Sequence, residues 1–265
     1  MSCEHCVAGE FLPGEPKGSL LPDNSAYYAE GADKTRAIIL LTDIFGLPLV
    51  NCKIMADRFA EELGCDVWVP DLFEGSPPLG LNDLSGLMPE VPGQKLTWTA
   101  IASLIWLFAR RARRMMIHSP AKGAGRAEIF IKKIRAERKY EKVGAVGYCF
   151  GGTIACRLAS KGLYDSVAIA HPGGVTDAEV EAINIPSVWL CAEEDRGFPA
   201  ASRQKAQASL AARKGKENYV EYEFHDFKGT CHGFAARPNL SIPSVKEGYE
   251  GAFEASVKWF KKTLW

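Results

Sequence analysis

The stretch Lys142-Val143-Gly144-Ala145-Val146-Gly147-Tyr148-Cys149-Phe150-Gly151-Gly152 runs on into Thr153-Ile154-Ala155-Cys156-Arg157-Leu158-Ala159-Ser160 and changes periodicity at its centre. Lys142 to Val146 is short, apolar and bounded, the pattern of a buried strand. From Thr153 the spacing is helical. A strand that turns sharply into a helix leaves little room beside the turn residue. Glycines two before and two after it, Gly147 and Gly151, remove the side chains that would clash. Such a turn exposes the Cys149 sulfur at the sheet edge. It also aims the first N–H groups and the positive helix end at that sulfur, which favours the thiolate. A Gly-rich turn around a small buried Cys is the competing reading, and residues elsewhere must choose between the two.

Upstream, Arg36 to Thr42 is a continuous apolar run, as expected of a strand covered on both faces, and ends at Asp43-Ile44-Phe45-Gly46. Val50 to Leu63 has a helical apolar face with Gly64 as its stop. Cys65 to Pro70 is the next strand, and Ala26 to Ala29 a short edge strand. Asp71 to Gln94 is dense in Gly and Pro, a long loop of the kind that has a job in a compact domain. Helices are expected over Leu96–Met116 and Arg126–Lys139, with a break near Ser119-Pro120. Downstream, strands are expected over Ser166–Ala170, ending at His171, and over Ser187–Ala192, ending at Glu193-Glu194-Asp195. A helix over Ala200–Arg213, an alternating strand over Tyr219–Phe224 and a closing helix over Val245–Leu264 complete the chain. Strands alternating with helices imply an α/β fold with a mostly parallel sheet and helices on both faces. One domain is expected over residues 1–265, with 1–24 as an irregular or hairpin lead-in.

The chain has 265 residues and a formal net charge of zero, which gives no electrostatic reason to expect nucleic acid or an anionic membrane as partner. Its start lacks the features of a signal peptide, and Ile101 to Phe108 is too short to span a bilayer, so a cytoplasmic location is expected. The eight Cys are scattered and read mostly as small buried hydrophobes. Cys3-x-x-Cys6 lacks a second pair at zinc spacing and reads as inert; no metal and no cofactor are called for. Oligomeric state is not legible.

In parallel sheets chemistry sits beyond the C-terminal strand ends, where Asp43, Cys149, His171 and Asp195 all fall. Gly147-Tyr148-Cys149-Phe150-Gly151 fits the Gly-x-nucleophile-x-Gly elbow with Cys as nucleophile, and that elbow has the chain order nucleophile, acid, histidine. Cys149, Asp195 and His232, the last in a Gly-flanked loop before the final helix, satisfy the order. A helix cap for Asp195 and a backbone-bonded loop histidine for His232 are the plain alternatives. The oxyanion donors would be the backbone N–H of Phe150 and that of Ile44 or Phe45. His171 is placed to line the acyl pocket or to cap its strand. Leu104 to Phe108 reads as core or pocket wall, with Trp106 in the core, and Leu79 to Val91 as solvent-facing loop or lid. The arginines Arg110, Arg111, Arg113 and Arg114 read as a solvated helix face.

Asp43-Ile44-Phe45-Gly46, Val69-Pro70-Asp71-Leu72-Phe73, Gly147-Tyr148-Cys149-Phe150-Gly151-Gly152 and His232-Gly233-Phe234 together resemble the dienelactone hydrolase family, nearest its eukaryotic, carboxymethylenebutenolidase-like branch. The resemblance implies an α/β-hydrolase fold and hydrolysis of lactones or activated esters through a thioester on Cys149, with Asp195 and His232 completing the triad. It also implies an acid that helps ionise the cysteine, whose place is taken here by Asp43. Family members grip a substrate carboxylate with an arginine four residues past the histidine. Ala236 stands there and Arg237 follows, so Arg237 is the substrate-binding candidate. The implied partner is a small-molecule lactone or ester. Two rival readings are a catalytically silent binding or regulatory module on the same fold, and a thiol redox role for Cys3 and Cys6.

Overall fold

The computed structural model describes residues 11–21 and 25–265. Cys3, Cys6 and most of the lead-in lie outside the described residues. In chain order the elements are β1 (Ser19–Leu21), β2 (Ala26–Ala29), β3 (Asp33–Leu41), α1 (Val50–Leu63), β4 (Cys65–Pro70), α2 (Trp98–Ile117), α3 (Pro120–Arg138), β5 (Lys142–Tyr148), α4 (Phe150–Leu158), β6 (Ser166–Ala170), α5 (Asp177–Ala182), β7 (Ser187–Glu194), α6 (Ala200–Ala211), β8 (Tyr222–Cys231) and α7 (Pro243–Leu264). The strands form one 8-stranded sheet in the order β1-β2-β4-β3-β5-β6-β7-β8. Pairing is antiparallel for β1 with β2 and β2 with β4, and parallel from β4 through to β8.

Alternate strand residues feed two cores, which is why the central strands read as unbroken apolar runs. Ile38, Leu40, Val67, Val69 and Val146 pack with α1 and α7 on one face. Ile39, Leu41, Trp68, Val143 and Ala145 pack with α3, α4 and α6 on the other. Gly64 ends α1 in the left-handed conformation, φ 67°, and returns its N–H to the Ala60 carbonyl. A third, smaller cluster of Phe45, Leu49, Leu79, Leu84 and Leu107 ties the loop after β3 and the 71–94 loop to α2. That long loop therefore turns its apolar residues inward, with Leu79 and Leu84 buried.

Three elements depart most from expectation. Helix α3 begins at Pro120, six residues before Arg126, because proline is well tolerated at a helix start. Its Gly123 is needed there: a Cβ would come within 2.9 Å of the Phe150 ring and 2.8 Å of Ile154, so glycine lets α3 close on α4. Strand β8 extends to Cys231, pairing Ser187 with Tyr222 at one end and Glu194 with Cys231 at the other across a register shift. The short α5, set by a Thr176–Glu179 capping box, was not expected from periodicity.

Candidate active site

Cys149 occupies the turn between β5 and α4 with φ 52° and ψ −110°, a region that a non-glycine residue enters only when its surroundings compel it. The compulsion comes from close backbone approach. A Cβ on Gly147 would lie 2.2 Å from the Gly151 carbonyl oxygen, and one on Gly151 would lie 2.1 Å from that of Leu41. The turn is pinned by N–H bonds from Cys149 to Ala170 and from Gly173 to the Cys149 carbonyl, 3.1 and 3.0 Å. Strands β3 and β6, flanking β5, thus fix the elbow from both sides.

His232 follows the last residue of β8, and Asp195 follows the last residue of β7. The imidazole Nδ1 lies 2.8 Å from Asp195 Oδ1, and its Nε2 lies 3.1 Å from the Cys149 sulfur. Asp195 Oδ1 also accepts from the N–H groups of Gly197 and Phe198, 2.7 and 3.1 Å, so the loop after β7 fixes the carboxylate. Burial works against charge on both partners, yet their surroundings win. The sulfur and the Asp195 carboxylate hold His232 well above the usual imidazole range, and the His232 bond leads in holding Asp195 below the usual carboxylate range. Both His232 nitrogens therefore point at acceptors that favour the imidazolium. By contrast, burial pushes the thiols of Cys52, Cys65, Cys156, Cys191 and Cys231 upward, Cys231 to about 11. Cys149 alone among these described thiols has an imidazole partner.

The sulfur opens into a cavity of about 530 Å3. Ile44 and Phe150 line it beside Cys149 and His232, and Leu79, Leu84, Leu104, Phe108 and Met115 give it apolar walls. Glu194 and Arg196, one charge of each sign, are also on its lining. The Phe45 N–H donates to Asp43 Oδ1 at 3.0 Å and is thereby engaged within its own turn. His118 caps α2, is buried and lines the cavity. Its Nδ1 meets Arg126 at 3.2 Å. No sequence signal marks it, because its depth depends on where α2 lies.

Four expectations are not matched. Asp43 is buried and holds its own turn through the Phe45 N–H, and its other oxygen faces Arg237 Nε at 3.6 Å. The Cys149 sulfur meets the His232 ring at 3.1 Å, while Asp43 bonds within its own turn. Burial raises the Asp43 carboxyl, with Arg237 acting against that shift. Arg237 in turn stacks 4.0 Å over the Phe45 ring and lines a small recess with Glu90 and Asn239, which adjoins the main cavity along Leu84, Met88, Cys231 and His232. His171 does not line the cavity either: it is 0% exposed and stacks edge-on behind His232, with ring centroids 5.1 Å apart. Trp106, expected in the core, is 61% exposed.

The two imidazoles predict a stability maximum. Burial holds His171 neutral, with its pKa pushed down to about 3 from 6.5, so the unfolded chain takes up a proton that the native chain refuses. That contribution is complete above pH 6.5 and is lost as pH falls toward 3, at up to about 1.4 kcal/mol per pH unit. His232 has the opposite sign: its contribution is complete below 6.5 and is lost as pH rises through its elevated pKa. Urea midpoints measured against pH should therefore peak near pH 6.5 and fall on both sides. His171→Phe should flatten the acid limb.

A strained strand–turn–helix elbow, a histidine on the loop after the last strand and an acid on the loop after the strand before it define an α/β-hydrolase. The chain belongs to the dienelactone hydrolase family, whose family model matches residues 24–264. It is 30% identical to the hydrolase tropI of Talaromyces stipitatus, over 98% of this chain and 95% of that protein. It is 28% identical to the carboxymethylenebutenolidase homolog of Homo sapiens, over 88% and 84% of the two chains. Among solved structures it resembles the dienelactone hydrolase of Anabaena variabilis in fold, with a TM-score of 0.56 at 13% identity, covering 90% of this chain and 91% of that one. The chain is accordingly a hydrolase.

Among the described residues no helix is long and apolar enough to cross a membrane. Among the same residues no group of three or more His, Cys, Asp or Glu side chains is placed to hold a metal.

Proposed function

We propose that the protein hydrolyses apolar lactones or activated esters through a thioester on Cys149. The observation that carries this is the His232 ring bridging Asp195 and the sulfur at 2.8 and 3.1 Å. Attack begins with the Cys149 proton on His232 Nε2, 3.1 Å away, so that the sulfur reacts as a thiolate. The thiolate attacks the acyl carbon, and the N–H groups of Phe150 and Ile44 receive the oxyanion. Collapse expels the alkoxide or enolate, which takes the Nε2 proton from His232. The neutral Nε2 then takes a proton from water as its oxygen attacks the thioester carbon. Collapse of that second intermediate returns the thiolate, with the imidazolium opposite it.

A thiolate is itself easily expelled from the first intermediate, so the leaving group must be good. That favours activated lactones and aryl esters over amides. Substrate class follows from the walls. Leucine, phenylalanine and methionine side chains suit an apolar acyl or alkoxy part, and Asp43 and Phe45 hold Arg237 beside the cavity rather than on its wall.

Mixing enzyme with excess aryl ester should release a burst of phenolate equal to the enzyme present. The quenched protein should carry the acyl mass on the Cys149 peptide. Turnover without any adduct at Cys149 under these conditions would refute the nucleophile. Iodoacetamide at neutral pH should label Cys149 ahead of the five buried thiols. A silent binding module predicts no such preference.

A further inference from the structure

Helix α2 is apolar on both sides. Its inner face, with Leu104, Leu107, Phe108 and Met115, covers the cavity and the small cluster beside it. At 3.6 residues per turn, Trp98, Ala102, Ile105, Ala109, Ala112 and Met116 fall on one opposite stripe that runs the length of the helix. Trp98 is 87% exposed, Ile105 66% and Met116 68%. An outward stripe of this kind is not explained by the core.

The charge on α2 has one sign. Its sequence holds four arginines and no acid. Arg111 pairs with Asp83 at 2.8 Å, but Arg110, Arg113 and Arg114 form no ion pair among the described residues. All four line an open groove against Phe73, Glu74 and Ser76, beside the apolar stripe. Arg110 lies 4.9 Å over the Trp106 ring, and that tryptophan, too, is turned outward.

We infer that α2 docks the protein on an anionic lipid surface, with the outward stripe among the acyl chains and Arg110, Arg113 and Arg114 on the headgroup phosphates. Charge complementarity selects this occupant. A second copy packed antiparallel on α2 would set each arginine cluster against the uncharged N-terminal half of its neighbour, which has no carboxylate to offer. A bilayer surface supplies phosphate and hydrocarbon side by side, and tryptophans favour that boundary. The zero net charge of the whole chain hides this local excess. Because the inner face of the same helix walls the cavity, docking would also set the cavity close to membrane-dissolved esters. That second part rests on the thioester reading, whereas docking itself does not.

The test is sedimentation of the full chain with vesicles of phosphatidylcholine alone or containing phosphatidylglycerol. Binding is expected only to the anionic vesicles and should weaken with salt. Combining Arg110→Ala, Arg113→Ala and Arg114→Ala should lower it on the order of 100-fold, at roughly five-fold per arginine. Ile105→Asp with Met116→Asp should abolish it. All these variants should keep their turnover of a water-soluble aryl ester. Cys149→Ala should bind vesicles as the parent does, so docking and catalysis can fail separately. Three results would overturn the inference: no binding to anionic vesicles, undiminished binding by the arginine variant, or a solution dimer that Ile105→Asp dissociates.

Discussion

Replacing Cys149 with alanine should lower kcat for an activated ester on the order of 10^5- to 10^6-fold, with the fold intact. When residues act as one unit, removing the nucleophile costs nearly as much as removing the whole unit. Here the unit is tight, since His232 is shared between the sulfur at 3.1 Å and Asp195 at 2.8 Å. With no sulfur the imidazole has nothing to protonate against and water has no thioester to attack. The oxyanion donors stay in place and account for the residual rate. The same variant carries a second, independent readout. The sulfur is the first of the groups that raise His232, so its loss should pull that imidazole down and weaken the alkaline limb of the stability profile. A variant that keeps substantial turnover, or whose alkaline limb is unchanged, would show that the sulfur and the ring are not coupled.

Gly151→Ala should be the most damaging one-methyl change in the chain's central turn. The added Cβ would sit 2.1 Å from the Leu41 carbonyl oxygen and 2.6 Å from that of Thr42, both backbone atoms of the strand end beside the elbow. Backbone in a sheet centre cannot rotate aside, so β3 and α4 must separate. A loss of about 3 kcal/mol or more in unfolding free energy is expected. Separation also moves the Phe150 N–H away from the Ile44 N–H, since one opens α4 and the other follows β3. Activity should fall about 100-fold beyond any loss of folded protein. Gly125→Ala is the control: it lies in α3 with nothing within 4 Å of its Cβ, and should be neutral or stabilise by up to about 1 kcal/mol. Urea unfolding of the two variants side by side separates collision from ordinary helix propensity.

Much of this site was legible because its cause is local. Gly147 and Gly151 flank Cys149 because a strand cannot turn into a helix there with side chains in the way. Asp195 and His232 stand just beyond strand ends because parallel strands deliver their C-termini to one edge. The chain order of Cys149, Asp195 and His232 follows from the order of the strands. The alternation stops at Phe224, whereas β8 runs on to Cys231, with Gly229 at φ 72° beside the register shift opposite β7. The Arg237 side chain was misjudged for a related reason. Its distance in sequence from His232 says nothing about Asp43 and Phe45, which hold it from another loop.

Alone, the amino-acid sequence settled the parallel sheet, the elbow and the family, because steric exclusion at glycine and the two periodicities act between near neighbours. Only the tertiary structure decided which face of an element is covered. Helix α2 has apolar residues all round, so its pattern could not tell Leu107 inside from Ile105 outside. Packing separates His171 from His118 in the same way, the first sealed behind His232 and the second on the cavity wall. Depth is a property of what packs on top, and that is set by residues far away along the chain.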